Sequence, residues 1–305
     1  MDCADLPLWP WINQAAQSQH RKSGRFRGVL TACAIGASRR VADRLFWPLE
    51  SPTESATLGG VRQRTAGAAP SFNEQDVSDK PAAIRNLRSM STRHLQWISR
   101  RYRSRLASLL AVDDLVERVV KQLGKAGVLE NTLLIFTSDN GFFAGEHRIM
   151  RSKLKIYDET IRVPLLMRGA GFPQGATVAQ PVANIDIAPT IVYISGARPR
   201  SLMDGRHLLS MALNPKLGAA RDILVESRDV NETQTYEAIR NRSFLYVEHA
   251  DGERELYDMR KFSPNYDPYQ LESRHDDTEY RDIEARLAER LDQLRTCAGM
   301  SCRTR

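Results

Sequence analysis

The residues best suited to chemistry follow a short apolar run in the middle of the chain. Leu133 to Phe136 are all apolar, and Asp139 and Asn140 come shortly after them. The Asp139 carboxylate and the Asn140 amide supply oxygen donors of the kind that Ca²⁺ and Mg²⁺ prefer. A simple turn is the alternative, because Asn140-Gly141 is a strong turn dipeptide.

Two polar residues further along could bind an anion. His147 could donate to an anion or a leaving group, or could be a loop histidine with a local hydrogen bond. Lys153 could hold a sulfate or phosphate oxygen as a point charge, or could be a solvated lysine. With Asp139 and Asn140, these residues predict a combined metal and anion site.

The elements around these residues must position them. The apolar run predicts a strand buried on both faces, and polar groups at the carboxyl end of such a strand lie where open α/β sheets bind ligands. Apolar residues recur at helical spacing from Leu106 to Leu123, so a helix is predicted before the strand. Asp113 and Asp114 fall inside this pattern and are interpreted as solvated helix surface.

A helix leading into a buried strand is half of a doubly wound unit. The sequence therefore predicts an α/β fold with a doubly wound, mostly parallel but incomplete sheet. Residues 162–171 predict a further short strand. Residues 184–196 predict a helix with Pro189 in its first turn and a stop at Gly196.

The pattern becomes antiparallel after about residue 220, which predicts a smaller carboxyl-terminal α+β lobe. Asp251 and Gly252 predict a hairpin turn, and an apolar stripe predicts a closing helix over 279–295. The predicted strands of this lobe are 221–227, 236–240 and 243–249. The predicted domains are a divergent or poorly ordered leader (1–68), a partial α/β domain (69–215) and the small lobe (216–305).

The composition limits the classes of protein to which the chain can belong. With 42% hydrophobic and 27% charged residues it is typical of a soluble globular protein. No apolar run is long enough for a membrane helix, and the amino end lacks a signal-peptide pattern. The net charge of +7 comes mostly from arginine. This positive charge indicates either an arginine-rich coding bias or an anionic partner. Nucleic acid is not favoured as that partner, because aromatic and basic residues do not alternate in the sequence as they do in stacking platforms.

The leader and the cysteines give weaker signals. A possible helix lies over residues 26–47, but the leader has no sustained periodicity. Cys297 and Cys302 lie close around a glycine and either form a disulfide or remain free thiols. None of the four cysteines belongs to a zinc-binding spacing.

Three segments resemble the carboxyl-terminal half of a sulfatase of the alkaline-phosphatase-like superfamily. They are FTSDNGFFAGEHR (136–148), SKLKIYDETIRVPLLMRGAG (152–171) and NIDIAPTIVYISG (184–196). The family pattern has an Asp-Asn-Gly turn, a lysine with a tyrosine four residues later, and an Arg-Val-Pro strand; Lys153, Tyr157 and 162–164 match it. The segment PSFNEQDVSDKP (70–81) resembles bacterial members that act on sulfated sugars. The resemblance covers about residues 69–303.

The resemblance implies a site and a substrate class. Asp139 and Asn140 would supply half the ligands of a Ca²⁺ ion, with Mg²⁺ the less favoured metal, and Lys153 would hold a sulfate oxygen. The substrate would be a sulfated small molecule or a sulfated glycan. The nucleophile would be a formylglycine made from Cys-x-Pro/Ala-x-Arg, a motif that Cys33 and the other cysteines do not match. We therefore expect a truncated or inactive member.

Two other interpretations remain open. A non-catalytic remnant could bind anionic sugars or a partner through the arginine-rich residues 84–105. A phosphoryl hydrolase of the same superfamily is the weaker alternative, because such enzymes usually bind two metals. Family members are commonly exported, but the chain carries no export signal, so its localisation is not predicted.

Overall fold

The computed structural model describes residues 28–33, 69–169, 171–214, 216–228 and 235–303. The described strands are β1 (Gly28–Cys33), β2 (Thr132–Thr137), β3 (Leu165–Arg168), β4 (Ile223–Ser227), β5 (Tyr236–Arg240), β6 (Phe244–His249) and β7 (Arg254–Asp258). The described α-helices are α1 (Ala82–Arg85), α2 (Thr92–Lys125), α3 (Asp158–Ile161), α4 (Ile187–Ser195), α5 (Leu208–Leu213) and α6 (Arg281–Arg295). None of them combines the length and apolar character that a membrane span needs.

The first sheet has the order β1-β2-β3, with β2 in the centre. β1 runs parallel to β2, whereas β3 runs antiparallel to it. The predicted doubly wound parallel sheet is therefore not confirmed in the described part of the chain. The possible helix over residues 26–47 is wrong over 28–33, because pairing with β2 along the whole strand overrides a weak local preference. The rest of the predicted leader lies outside the described residues.

β2 is buried along its whole length, as the sequence predicts. One face packs against α2, where Val116 and Val120 contact the cluster that contains Leu134 and Phe136. The other face carries Leu133 and Ile135 and packs against residues of β3 and α5, among them Met167, Leu208 and Met211. With both faces covered, β2 holds its carboxyl end in a fixed place within the core.

The structure of α2 contradicts part of the prediction that Asp113 and Asp114 are both solvated. Asp113 is 1% exposed, so interpreting both aspartates as solvated was wrong for this residue. The reason is its position on the helix, because Asp113 precedes Val116 and Val120 by one and two turns and therefore lies on the same buried face. Asp114 is exposed, as predicted.

The carboxyl-terminal lobe agrees with its prediction. Its sheet has the order β4-β5-β6-β7 with every neighbouring pair antiparallel, and the Asp251-Gly252 turn joins β6 to β7. Gly252 has φ of +88°, a conformation that glycine adopts without strain. α6 packs an apolar stripe against one face of this sheet, formed by Leu287, Leu291 and Leu294.

Two further predictions can be compared with the structure. α4 lies within residues 184–196 and ends before Gly196, whose φ is +69°, so the predicted helix is confirmed. Cys297 and Cys302 form a disulfide, which decides between the two alternatives for these thiols.

Candidate anion and metal site

The Asp139-Asn140 pair forms the turn at the carboxyl end of β2. The backbone N–H of Asn140 donates to Asp139 Oδ1 at 2.8 Å, and Asn140 Nδ2 donates to the carbonyl oxygen of Gly141 at 2.8 Å. Asp139 is exposed and Asn140 is half-buried. Among the described residues, none donates a hydrogen bond to Asp139 Oδ2 or Asn140 Oδ1. The chain bends at Asp139, and Asp139 Oδ2 and Asn140 Oδ1 remain available as oxygen donors.

The backbone at Gly141 is fixed because it lies very close to the backbone of Glu159 and Thr160. We call residues 138–160 the site loop. In the site loop, the N–H groups of Gly141 and Phe142 donate to the carbonyl oxygens of Thr160 and Glu159 at 2.8 and 2.9 Å. A Cβ at Gly141 would lie 1.9 Å from the Glu159 carbonyl oxygen, so only glycine allows this approach. The start of the loop is therefore held against α3.

Lys153 lies on the outer side of the site loop. It is exposed, and its neighbour Ser152 accepts a hydrogen bond from the Phe143 N–H at 3.0 Å. Lys153 lines a cavity of 390 Å³ between α2 and residues 142–153 of the loop. Lys153 forms no hydrogen bond or ion pair with any residue that the structure describes.

The described residues fit a divalent cation in donor type but not in number. Ca²⁺ usually takes six to eight oxygen ligands. Asp139 and Asn140 offer a carboxylate and an amide oxygen, and the described part of the chain contains no group of three or more Asp, Glu, His or Cys that could hold a metal. A complete site would need further oxygen ligands, so the metal site stays a prediction.

His147 lies on the inner side of the site loop, away from the cavity. It is fully buried, and its ring stacks on Tyr157 with 4.1 Å between the ring centroids. Its Nδ1 lies 2.7 Å from Glu74 Oε2, and its Nε2 lies 3.6 Å from Glu159 Oε2, an ion-pair distance too long for a hydrogen bond. The hydrogen-bond partner of His147 is therefore distant in sequence and not the local one of the alternative, and the catalytic role of His147 stays a prediction.

The surroundings of His147 favour its charged form. Burial opposes the imidazolium, but the carboxylates of Glu159 and Glu74 outweigh burial and raise the pKa of His147 to about 8. His147 and Glu74 therefore form a buried ion pair near neutral pH. His147 also has φ of +50°, an uncommon conformation for a residue other than glycine.

A buried polar network that sequence reasoning missed continues from this pair. Lys80 is fully buried, and its Nζ lies 3.5 Å from Glu74 Oε1, 2.9 Å from Asp79 Oδ2 and 2.7 Å from the Leu271 carbonyl oxygen. These contacts join residues 71–81, the site loop and the carboxyl-terminal lobe. The sequence signal for this network is the charged residues of the segment 70–81, which are Glu74, Asp76, Asp79 and Lys80.

Tyr157 makes the second link between the site loop and the lobe. Its hydroxyl donates to Glu255 Oε2 on β7 at 2.8 Å, and both residues are buried. Burial raises the pKa of Glu255, but hydrogen bonds from His249, Tyr257 and Tyr157 outweigh it and hold that pKa below its usual value. The exposed Lys153 thus lies four residues before a buried tyrosine that fixes the loop to β7.

Comparison with protein families gives two matches. A sulfatase model matches residues 50–197, and a model described as N-sulphoglucosamine sulphohydrolase, C-terminal, matches residues 145–297, which is half of the chain. An arylsulfatase of Chlamydomonas reinhardtii is 33% identical over 90% of this chain and 46% of its own length. Human N-acetylglucosamine-6-sulfatase is 31% identical over 70% of this chain and 44% of its own length. The chain spans about half the length of these two curated relatives, both of which are eukaryotic.

Solved structures give a matching result. One neighbour, in complex with its substrate D-glucosamine-2-N,6-O-disulfate, has a TM-score of 0.60 and 27% identity over 68% of this chain and 42% of its own. A phosphonate monoester hydrolase of Agrobacterium radiobacter has a TM-score of 0.54 and 28% identity over 64% of this chain and 40% of its own. The described fold is therefore of the sulfatase type.

Proposed function

Because the chain belongs to the sulfatase family, we propose that it takes part in the hydrolysis of sulfate esters of sugars. In this proposal Lys153 binds an oxygen of the sulfate group, and Asp139 with Asn140 binds Ca²⁺. The names of two relatives support a sulfated amino sugar as the substrate class, since one is an N-acetylglucosamine-6-sulfatase and one binds a glucosamine disulfate.

One observation carries this proposal. Asp139 Oδ2, Asn140 Oδ1 and the Lys153 ammonium have no hydrogen-bond partner among the described residues, and of these three residues only Lys153 lines the cavity. The backbone after the Asp139-Asn140 pair is held by hydrogen bonds to α3, and the residue before Lys153 accepts a hydrogen bond from the Phe143 N–H. A rigid backbone with unsatisfied charged groups is the arrangement that a binding site for an external ion needs.

The chemistry follows from the charges. A bound divalent cation would neutralise negative charge that develops on the sulfuryl group as its S–O bond breaks. Lys153 would hold a second sulfate oxygen and orient the ester, and its ammonium would stabilise the same developing charge. The buried Tyr157 and His147 would keep the loop in place without touching the ester.

Sulfate binding is tested with glucosamine 6-sulfate and isothermal titration calorimetry. Loss of one charge-assisted contact removes about 1.5–3 kcal/mol, so Lys153→Ala is expected to weaken binding by about tenfold or more. Lys125→Ala, which removes another exposed lysine at the end of α2, is the matched control and should bind normally. Equal affinity of the two variants would refute the role of Lys153.

Metal binding is tested in the same instrument by titration with CaCl₂. Asp139→Ala removes the only formal negative charge of the donor pair and should abolish the heat of Ca²⁺ binding. Glu130→Ala removes a carboxylate whose side chain is 93% exposed and should leave that heat unchanged. If wild type and Asp139→Ala titrate alike, the metal does not bind at this turn.

A second candidate function is binding of sulfated sugars without hydrolysis. It is favoured by the sequence, in which no cysteine has the Cys-x-Pro/Ala-x-Arg register that the formylglycine nucleophile of the family requires. Turnover of an aryl sulfate by the purified protein with Ca²⁺ separates the two functions. Binding of glucosamine 6-sulfate without turnover, with Cys33 unmodified by mass spectrometry, supports the non-catalytic function.

The similarity to a phosphonate monoester hydrolase favours a second substrate in the same assay. A phenyl phosphonate ester has a comparable shape but a different central atom. We expect the aryl sulfate to be preferred, because only one Asp-Asn donor pair is present among the described residues whereas phosphoryl hydrolases usually need more metal ligands.

A further inference from the structure

The cavity beside Lys153 carries more positive charge than one sulfate group needs. Arg101, Arg105 and Arg151 line it together with Lys153. None of these four cations forms a hydrogen bond or a close ion pair with a residue that the structure describes. Several other described arginines are paired; Arg221, for example, forms a buried ion pair with Asp186. The four cations are therefore available to an external anion.

Two of these guanidinium groups are held in place by aromatic rings. The guanidinium carbon of Arg105 lies 3.7 Å from the centroid of the Phe142 ring, and that of Arg101 lies 4.6 Å from the centroid of the Trp97 ring. A stacked guanidinium uses its face, so its N–H donors remain free at its edge. Both groups are thus oriented before any ligand arrives.

The electrostatics of the cavity favour an anion. Burial, followed by the charge of Arg101, lowers the pKa of the Arg105 guanidinium. The nearby carboxyl of Glu146 compensates this charge weakly, because burial raises its pKa and it already accepts a hydrogen bond from the Ala144 N–H at 2.6 Å. Mutual repulsion of the cations is relieved by a negatively charged ligand.

The size and lining of the cavity suit a sugar ring. A volume of 390 Å³ lies in the range of small-molecule sites, which combine apolar and aromatic walls with a few charged groups. Trp97, Tyr102 and Phe142 provide the aromatic walls. A sugar with one sulfate at Lys153 would bring its other substituents towards Arg101 and Arg105.

We infer that this cavity binds a second anionic group of the sugar, at Arg101 and Arg105, while Lys153 binds the sulfate ester that is to be hydrolysed. This inference rests on the proposed function and sharpens it, because it names doubly anionic sugars as the preferred ligands. The ligand class is a sugar with two sulfate groups on one ring or on neighbouring rings.

The test compares glucosamine 2-N,6-O-disulfate with glucosamine 6-sulfate by calorimetry on the full chain. The wild type is expected to bind the disulfate about tenfold more tightly, which corresponds to one additional charge-assisted contact. Arg105→Gln should remove this preference while it leaves the affinity for the monosulfate nearly unchanged. Arg118→Gln, an exposed arginine in the other half of α2, is the control and should keep the preference.

The outcomes separate this inference from the proposed function. Equal affinity of the wild type for both sugars, or an unchanged preference in Arg105→Gln, overturns the inference, whereas monosulfate binding that Lys153→Ala weakens keeps the proposed function. If neither sugar binds the wild type, both proposals are wrong. Thermal melting checks that Arg105→Gln is folded; if it is not, Arg101→Gln replaces it with the same expected result.

Discussion

The inward and outward faces of the site loop differ in whether their charged groups have partners. On the inward face, His147 is fully buried, lies 2.7 Å from Glu74 and is approached by Glu159. On the outward face, Asp139 and Lys153 are exposed and lack ion-pair partners among the described residues. The two faces belong to one short segment of chain, so the difference does not come from its general composition.

The paired groups of the inward face stabilise the site loop, whereas the unpaired groups of the outward face are available to bind a ligand. A buried charge must be paired because its desolvation is costly, and the pairing fixes the backbone that carries it. An exposed charge without a partner contributes little to stability and keeps its capacity to bind an external ion. Substitutions on the inward face should therefore change stability, whereas those on the outward face should change ligand affinity.

The largest effect is expected for Glu74→Ala. Glu74 is 4% exposed and contacts both His147 and Lys80, so its removal leaves two buried cations with less compensation. Removing one partner of a buried ion pair typically costs about 3–5 kcal/mol of unfolding free energy. Urea denaturation of the purified variant measures this loss.

Glu130→Ala is the control for this prediction. Its carboxylate is almost fully exposed, and its contact with Arg168 is long, at 3.9 Å. The unfolding free energy should change by less than about 0.5 kcal/mol. If Glu74→Ala were as stable as Glu130→Ala, the inward network would not hold the loop.

The outward face could be predicted from the sequence better than the inward one. The apolar run before Asp139 and the short spacing to Lys153 are local signals, and the strands and turn of the carboxyl-terminal lobe follow from equally local patterns. The partners of His147 are not local, since Glu74 lies 73 residues away. The strand β1 was missed for the same reason, because its pairing with the distant β2 decides it, whereas the burial of Asp113 follows from its local spacing to Val116 and Val120.

A smaller effect is expected from pH. The pKa of His147 rises from 6.5 to about 8 on folding, so its charged form stabilises the fold fully below pH 6.5 and this contribution is lost as the pH rises through about 8. A shift of this size corresponds to about 2 kcal/mol. Urea denaturation between about pH 6 and pH 9 should therefore show falling stability.

His147→Gln tests the origin of this pH dependence. Glutamine keeps a hydrogen-bond donor towards Glu74 but does not titrate, so the variant should lose most of the slope between neutral and alkaline pH. The pKa of Glu159 is lowered, because interactions with His147 outweigh the burial that raises it, and its contribution is lost only under acidic conditions. An unchanged slope in His147→Gln would assign the effect to another group.

The smallest change in stability is expected for Lys153→Ala. Its ammonium is exposed and contacts no described carboxylate, so the unfolding free energy should change by less than about 0.5 kcal/mol. The same variant should bind glucosamine 6-sulfate about tenfold more weakly. For Lys153→Ala we therefore expect a larger change in affinity than in stability, whereas for Glu74→Ala we expect the larger change in stability. Urea denaturation and calorimetry on one preparation measure both quantities. A loss of stability as large as the loss of binding free energy would mean that Lys153 is part of the inward network, because a lysine that serves only an external anion has no role in the folded chain without its ligand.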